Sequence, residues 1–252
     1  MAAGIVRMDL KSDMTKIPKA IFCWSGGKDS AYCLHKVLSE QTFDVVYLMT
    51  TVNDTFKRIS MHGVREELLD KQIESIGIPA IKIRIKDGTH SEYEQLMHDA
   101  LQQAKSEGVT HVIFGDIFLE DLRLYREENL NKVDLTGVFP LWKMHTKNLI
   151  QDFIAKDFKT ITCCINDGYF DETWVGKEID KMFVEELPSF VDPCGENGEY
   201  HTFCYAGPVF KKPITFTIGE KIYKPLEYTF DDDVCKSPVK TNGFWYCDLI
   251  PV

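Results

Sequence analysis

Over its first 140 residues the chain alternates short apolar runs with amphipathic helical stretches, a pattern that calls for a parallel sheet covered by helices on both faces. Residues 19–24, 43–50, 80–85 and 110–114 are strand-sized and apolar. Between them, residues 28–40 carry Ala31, Leu34, Val37 and Leu38 at helical spacing. Residues 63–76 do the same with Val64, Leu68, Ile73 and Ile76, and Gly77 and Pro79 end that run. Two overlapping capping boxes, Thr89-x-x-Glu92 and Ser91-x-x-Glu94, open a third helix whose stripe is Tyr93, Leu96, Met97, Ala100, Leu101 and Ala104. A charged helix over about 119–133 and a fifth strand near 137–141 complete the series.

Beyond Trp142 the rhythm changes. The sequence predicts a helix over 146–157, a strand over 160–165, a helix over 172–187, and a hairpin of 214–218 with 222–228 through Gly219. The fold expected is α/β: an N-terminal doubly wound parallel sheet over 1–141 and a smaller C-terminal α+β domain over 142–252. Residues 1–18 read as a mobile leader.

Charge and cysteine content narrow the function classes. The formal charge of −10 gives no general field for nucleic acid or an anionic membrane, so an RNA partner is disfavoured. The apolar runs fall well short of the roughly 20 residues of a spanning helix. Arg7, Asp9, Lys11 and Asp13 interrupt any apolar signal region, and the eight cysteines form no C-x-x-C pair. Reduced thiols in a cytoplasmic protein follow, with neither a structural zinc nor an iron–sulfur site expected.

Ser25-Gly26-Gly27-Lys28-Asp29-Ser30 lies where the first strand meets the first helix. Backbone N–H groups there can converge on an anion, with Gly26 and Gly27 permitting close approach, Lys28 supplying charge, and Ser25 and Ser30 supplying hydroxyls. A given six-residue string arises by chance in roughly one chain of this length in 10⁵, so the loop is not treated as an accidental turn. Its spacing is neither that of the Walker motif nor that of the dinucleotide fingerprint.

This string resembles the PP-loop of the ATP pyrophosphatase superfamily, whose fold is the adenine nucleotide alpha hydrolase-like sheet. Four further clusters are similar to the diphthine–ammonia ligase family, and in particular to its bacterial-type members of unassigned substrate. They are residues 60–65 (Ser-Met-His-Gly-Val-Arg), 115–117 (Gly-Asp-Ile), 121–127 (Asp-Leu-Arg-Leu-Tyr-Arg-Glu) and 192–203 (Asp-Pro-Cys-Gly-Glu-Asn-Gly-Glu-Tyr-His-Thr-Phe).

The resemblance implies ATP and Mg²⁺ as cofactors and cleavage of ATP to AMP and pyrophosphate. It also implies an acceptor carboxylate, protein-borne or small, and ammonia as partners. Ser25, Gly26, Gly27, Lys28, Asp29 and Ser30 would bind the phosphates, Met49 and Thr50 the adenine, and Asp29 the metal. Lys28, Asp116, His62, Glu196 and Glu199 are the candidate catalytic groups; Arg123, Arg126, Glu196, Glu199 and His201 are the candidate substrate contacts. Plainer roles stand beside these: Asp29 as a helix cap, Asp116 as a loop carboxylate, Arg123 with Glu127 as a solvated pair, and residues 196–201 as an acidic turn. Two other functions fit the same loop, a pyrophosphatase acting on a metabolite or RNA base and an ATP-holding sensor. A homo-oligomer is left open.

Overall fold

A computed structural model describes residues 17–60, 62–86, 89–226 and 239–252. The leader predicted for 1–18 therefore lies almost wholly outside the described residues. In chain order the first half comprises β1 (Lys19–Cys23), α1 (Lys28–Glu40), β2 (Asp44–Asn53), β3 (Arg58–Ile59), α2 (Glu66–Ile76), β4 (Ala80–Ile85), α3 (His90–Ser106), β5 (His111–Ile113), α4 (Glu120–Asn131) and β6 (Thr136–Val138). The second half comprises α5 (Thr146–Ala155), β7 (Lys159–Asn166), α6 (Lys181–Glu186), β8 (Tyr200–Ala206), β9 (Phe216–Pro225) and β10 (Gly243–Pro251).

Strands β4, β2, β1, β5 and β6 pair in parallel, in that spatial order. The chain moves outward from β1 to β4, then returns to β5 on the other side of β1. Strand order thus reverses beside β1, the place where sheets of this type open a crevice beyond the strand ends. The short antiparallel β3 pairs with Val52 and Asn53. Trp24 N bonds Met49 O at 2.8 Å and Ser60 N bonds Thr51 O at 3.2 Å, so residues 58–60 continue the edge of β2 where β1 leaves it. His62 consequently lies over the loop that follows β1, its Cε1 2.8 Å from where a Cβ on Gly27 would stand.

One sheet face buries Ile21, Met49, Leu101, Val112, Phe114 and Leu130 against α3 and α4. On the opposite face Phe22, Leu34, Leu48 and Leu68 belong to a cluster that runs on through Phe153, Phe158, Phe203 and Leu249 of the second half. The second sheet is antiparallel in the order β8-β7-β10-β9. Its strand β8 lies against α1, and its core is continuous with that of the parallel sheet.

Five local expectations need correction. Helix α2 begins at Glu66 rather than Gly63, because Gly63 sits at φ +67° and Val64 O accepts from Ile59 N in a turn. Only Thr89 caps α3, accepting from Glu92 N at 3.3 Å, while Ser91 is already inside the helix. The fifth strand stops at Val138, before Pro140, which has no N–H to extend it.

The helix predicted over 172–187 shrinks to Lys181–Glu186, capped by Asp180. Residues 177–179 are extended instead, following a turn at Gly176 (φ +81°), and Gly176 N, Lys177 O and Ile179 N all bond to the backbone of β7. The predicted hairpin is one continuous strand, β9, paired along β10, and Tyr228 falls outside the described residues. Gly219 lies where the register shifts between Cys247 and Leu249, and a Cβ there would come within 2.9 Å of Ile250. Glycine in that strand therefore marks an irregularity in pairing, not a reversal of the chain.

Candidate active site

The loop between β1 and α1 is shaped by its glycines and held from the side. Gly26 has φ +81°, and a Cβ on it would sit 2.7 Å from Gln72 Oε1. Gln72, fully buried on α2, accepts from Trp24 Nε1 at 3.0 Å and donates to Gly26 O at 3.0 Å and Cys204 O at 2.6 Å. A single amide thus joins β1, the loop and β8. Within the loop, Ser25 Oγ donates to Ser30 Oγ at 3.1 Å and Ser30 Oγ donates to Gly27 O at 2.9 Å. Gly27 is the N-cap of α1 and offers no side chain to the first turn, whose Lys28 N–H is met instead by Thr202 Oγ1 at 2.9 Å.

Lys28 is 3% exposed. Its Nζ lies 2.7 Å from Asp29 Oδ2, bonds the Cys194 carbonyl, and sits 5.2 Å from the centre of the Tyr200 ring. Burial, the largest single influence, works against its charge, but Asp29 together with Tyr200, Cys194 and Glu196 outweighs it and holds the ammonium pKa above its usual value. Asp29 does not cap α1; it stands in the first turn. Burial pushes its carboxyl pKa up, opposed by Lys28.

Asp29 Oδ1 is buried without a hydrogen-bond partner among the described residues. An orphaned carboxylate oxygen beside a phosphate loop fits one protein contact to Mg²⁺. Among the described residues no group of three or more His, Cys, Asp or Glu is arranged to hold a metal.

Two histidines roof the loop. His62 lies so close that a Cβ on Gly27 would be 2.8 Å from its Cε1, and its Nδ1 is 2.9 Å from Thr202 O. The His201 ring centre is 4.9 Å from that of His62. Burial, with Lys28 nearby, lowers the His62 pKa to about 4; burial, then His62 and Lys28, lowers that of His201 to about 3. Both imidazoles are neutral at physiological pH. The turn carrying His62 is anchored to β10, where Asp248 accepts from Arg58 Nη2 at 2.9 Å and from Arg65 Nη2 at 2.6 Å.

The glycine-bearing turn 192–199 separates two glutamates that the sequence grouped together. Glu196 Oε2 accepts from Ile117 N at 3.3 Å, beside the end of β5. Burial and then Asp29 push its pKa up to about 8, against the pull of Lys28. Glu199 is fully buried and turned into the turn itself, accepting from Asp192 N, Asn197 N and Asn197 Nδ2 at 2.8–3.0 Å. Its partners place it as the organiser of the turn.

Asp116 and Arg126 meet at the end of β5, with Arg126 Nη2 donating to Asp116 Oδ1 at 3.2 Å and Nε 2.7 Å from Oδ2. The Arg126 guanidinium also lies 4.4 Å from the centre of Phe114. It borders a cavity of about 450 Å³ lined by Met49, Tyr93, Met97, Phe114 and Tyr125. Thr50 is 5% exposed, and its Oγ1 has no hydrogen-bond partner among the described residues. Arg123 stands apart from these groups, 4.7 Å from the rings of both Phe139 and Trp142 and bonded to Glu127 at 2.8 Å.

Lys28, Asp29, His62, Glu196 and His201 therefore gather around the loop, and Asp116 with Arg126 adjoins them through Glu196 and Ile117. Sequence reasoning passed over Gln72, Thr202 and Asp248. Gln72 did leave a signal, a polar residue at i+4 from Leu68 and i−4 from Ile76 on a buried helix stripe.

Known proteins were compared with the chain. The model of the diphthamide synthase N-terminal domain matches residues 18–135, and that of the diphthamide synthase C-terminal domain matches residues 145–231. A diphthine–ammonia ligase of Bos taurus is 26% identical over 220 residues, 79% of this chain and 82% of that protein. The Mus musculus protein of the same name is 27% identical over 221 residues, with the same coverage. An uncharacterized protein of Methanocaldococcus jannaschii is 27% identical over 154 residues, 56% of this chain and 57% of the other. The solved U34-tRNA thiolase of Methanococcus maripaludis aligns at 17% identity and a TM-score of 0.34 over 55% of each chain, a likeness too loose to carry any argument. Together the two domain models span the site described above, from the phosphate loop to the turn at 192–199, and the chain belongs to the diphthamide synthase family.

Proposed function

We propose that the protein is an ATP-dependent amide-forming ligase. An acceptor carboxylate oxygen attacks the α-phosphorus of ATP, the bond to the β-phosphate oxygen breaks, and pyrophosphate leaves. Ammonia or an amine then attacks the acyl carbon of the adenylate, the carbon–oxygen bond breaks, and AMP leaves with the amide formed. The reaction class is taken from relatives named diphthine–ammonia ligase. The observation that carries it is the buried Lys28 in a glycine loop at the head of α1, facing Glu196 and the two neutral histidines.

In this reading residues 25–30 hold the β- and γ-phosphates, with charge stabilisation by Lys28 and the first-turn N–H groups. Mg²⁺, when bound, neutralises charge on the departing pyrophosphate, with Asp29 Oδ1 as its protein contact. Met49 and Thr50 border the adenine, and the cavity beside Arg126 has the 300–1,000 Å³ size usual for small-molecule sites. Arg126, with Asp116 orienting it, meets the anionic acceptor, whereas Arg123, paired with Glu127 away from these groups, takes no part. His62 and His201, both uncharged, accept hydrogen bonds from the nitrogen nucleophile. Glu196, whose pKa is near neutrality, takes the proton that nitrogen loses. Glu199 keeps the turn in shape.

The test is product analysis with γ-labelled ATP, Mg²⁺, ammonium and a panel of carboxylate acceptors. Label appearing in pyrophosphate in step with AMP and amide is expected. Label appearing only in orthophosphate, alongside ADP, would exclude the reading.

A further inference from the structure

We propose that Thr202, a residue of the second sheet, is a phosphate-binding donor of the nucleotide site. The inference rests on the ATP reading above and adds to it a ligand from outside the glycine loop. The first-turn N–H of Lys28 donates to Thr202 Oγ1 at 2.9 Å, across 174 residues of sequence. Since the N-cap is a glycine, this threonine is the side chain that meets the opening turn of a 13-residue helix.

A hydroxyl that accepts one hydrogen bond still has its own proton to give. Thr202 is only 2% exposed, and among the described residues no acceptor takes that proton. A buried donor without a partner is costly, and an anionic oxygen above the loop would satisfy it. Position supports this. Thr202 Oγ1 lies 3.2 Å from where a Cβ on Gly27 would stand, directly over the loop.

The residue has little freedom to turn away. Two residues on, Cys204 N bonds Gly26 O at 2.8 Å, and Thr202 O faces His62 Nδ1 at 2.9 Å. The N–H that polarises the hydroxyl sits at the positive end of α1, so the chain N–H···O–H delivers that partial charge to the anion as a stronger donor. Through Thr202 the strand that carries His201 would feel the triphosphate directly.

Calorimetric titration of the full chain with Mg²⁺-ATP, pyrophosphate and AMP tests this. Thr202→Val, similar in shape but without the hydroxyl, should weaken ATP and pyrophosphate about ten-fold, the size of one charge-assisted hydrogen bond, and change AMP less than two-fold. Thr202→Ser should stay within about three-fold of the parent for all three. Thr202→Ala supplies the same comparison if the valine variant folds poorly, with folding checked by thermal unfolding.

Tighter ATP binding by Thr202→Val would overturn the inference, because it would mean that the hydroxyl merely blocks the Lys28 N–H. Unchanged binding, or equal loss for all three ligands, would overturn it as well. A parent protein that binds neither ATP nor pyrophosphate would instead overturn the ATP reading itself, and this inference with it.

Discussion

The loop at residues 25–30 and the turn at residues 192–199 are both short, both contain glycines and both face Lys28, yet they are satisfied in opposite ways. In the loop the hydroxyls bond one another and the backbone carbonyls are taken by Gln72 and β8, while the helix's first turn has no side-chain cap of its own. In the turn, Asp192 and Glu199 absorb the backbone N–H groups, and what is presented toward Lys28 is the Cys194 carbonyl and the Glu196 carboxylate. One wall of the site is rich in donors and the other in acceptors.

Removing the donor wall's one cationic side chain should have the largest effect. Lys28→Ala is expected to lower AMP-forming turnover by about 10²–10³-fold, measured as pyrophosphate release under saturating ATP, in line with the loss of a charge-stabilising donor. A variant with near-parental turnover would show that the wall works through its backbone alone.

On the acceptor wall, Glu199→Gln exchanges an acceptor for an amide that must turn one N–H group toward the turn's own donors. Its expected cost is about 2–4 kcal/mol of stability, read from urea unfolding, because a buried group is left facing like polarity. Turnover should fall with it while pyrophosphate affinity holds, since the loop's partners are untouched. Equal losses of both would merge the two walls into one unit.

The smallest and most graded effect should come from pH. Burial lowers the pKa of His62 to about 4 and that of His201 to about 3, beneath the 6.5 of a free imidazole. Between those values the unfolded chain binds more protons than the folded one, so stability rises with pH across the window. The histidine contribution is fully present above about pH 6.5 and is lost progressively as pH falls toward 4, while Glu196, raised to about 8, contributes with the opposite sign over the same range. The readout is therefore the difference in urea midpoint between the parent and His201→Gln, which should shrink as pH falls from about 7 to 4. A difference that does not change with pH would mean that the His201 ring is not held neutral.

Much of the fold was legible because it rests on local periodicity. The parallel strands and α1, α3, α4 and α5 announce themselves by apolar spacing, and the glycine loop by its position between a strand and a helix. Where legibility failed, long-range pairing overrode a local preference. A helix is predicted through residues 172–180, but Gly176, Lys177 and Ile179 pair with the backbone of β7 instead. Gly219 has the look of a turn, but β10 runs past it and keeps both flanks in one strand. Glu199 reads as an acidic site residue until the turn closes around it.

What the sequence by itself determined is the glycine loop at residues 25–30 and the sheet that carries it, since both depend on residues within a few turns of one another. Only the tertiary structure decided what stands opposite that loop. Thr202, Cys194 and Asp248 meet Lys28 and Arg65 across 166–183 residues, and no spacing rule reaches that far. Those contacts exist because the antiparallel sheet and the parallel sheet share one apolar core, and burying it brings β8 against the head of α1.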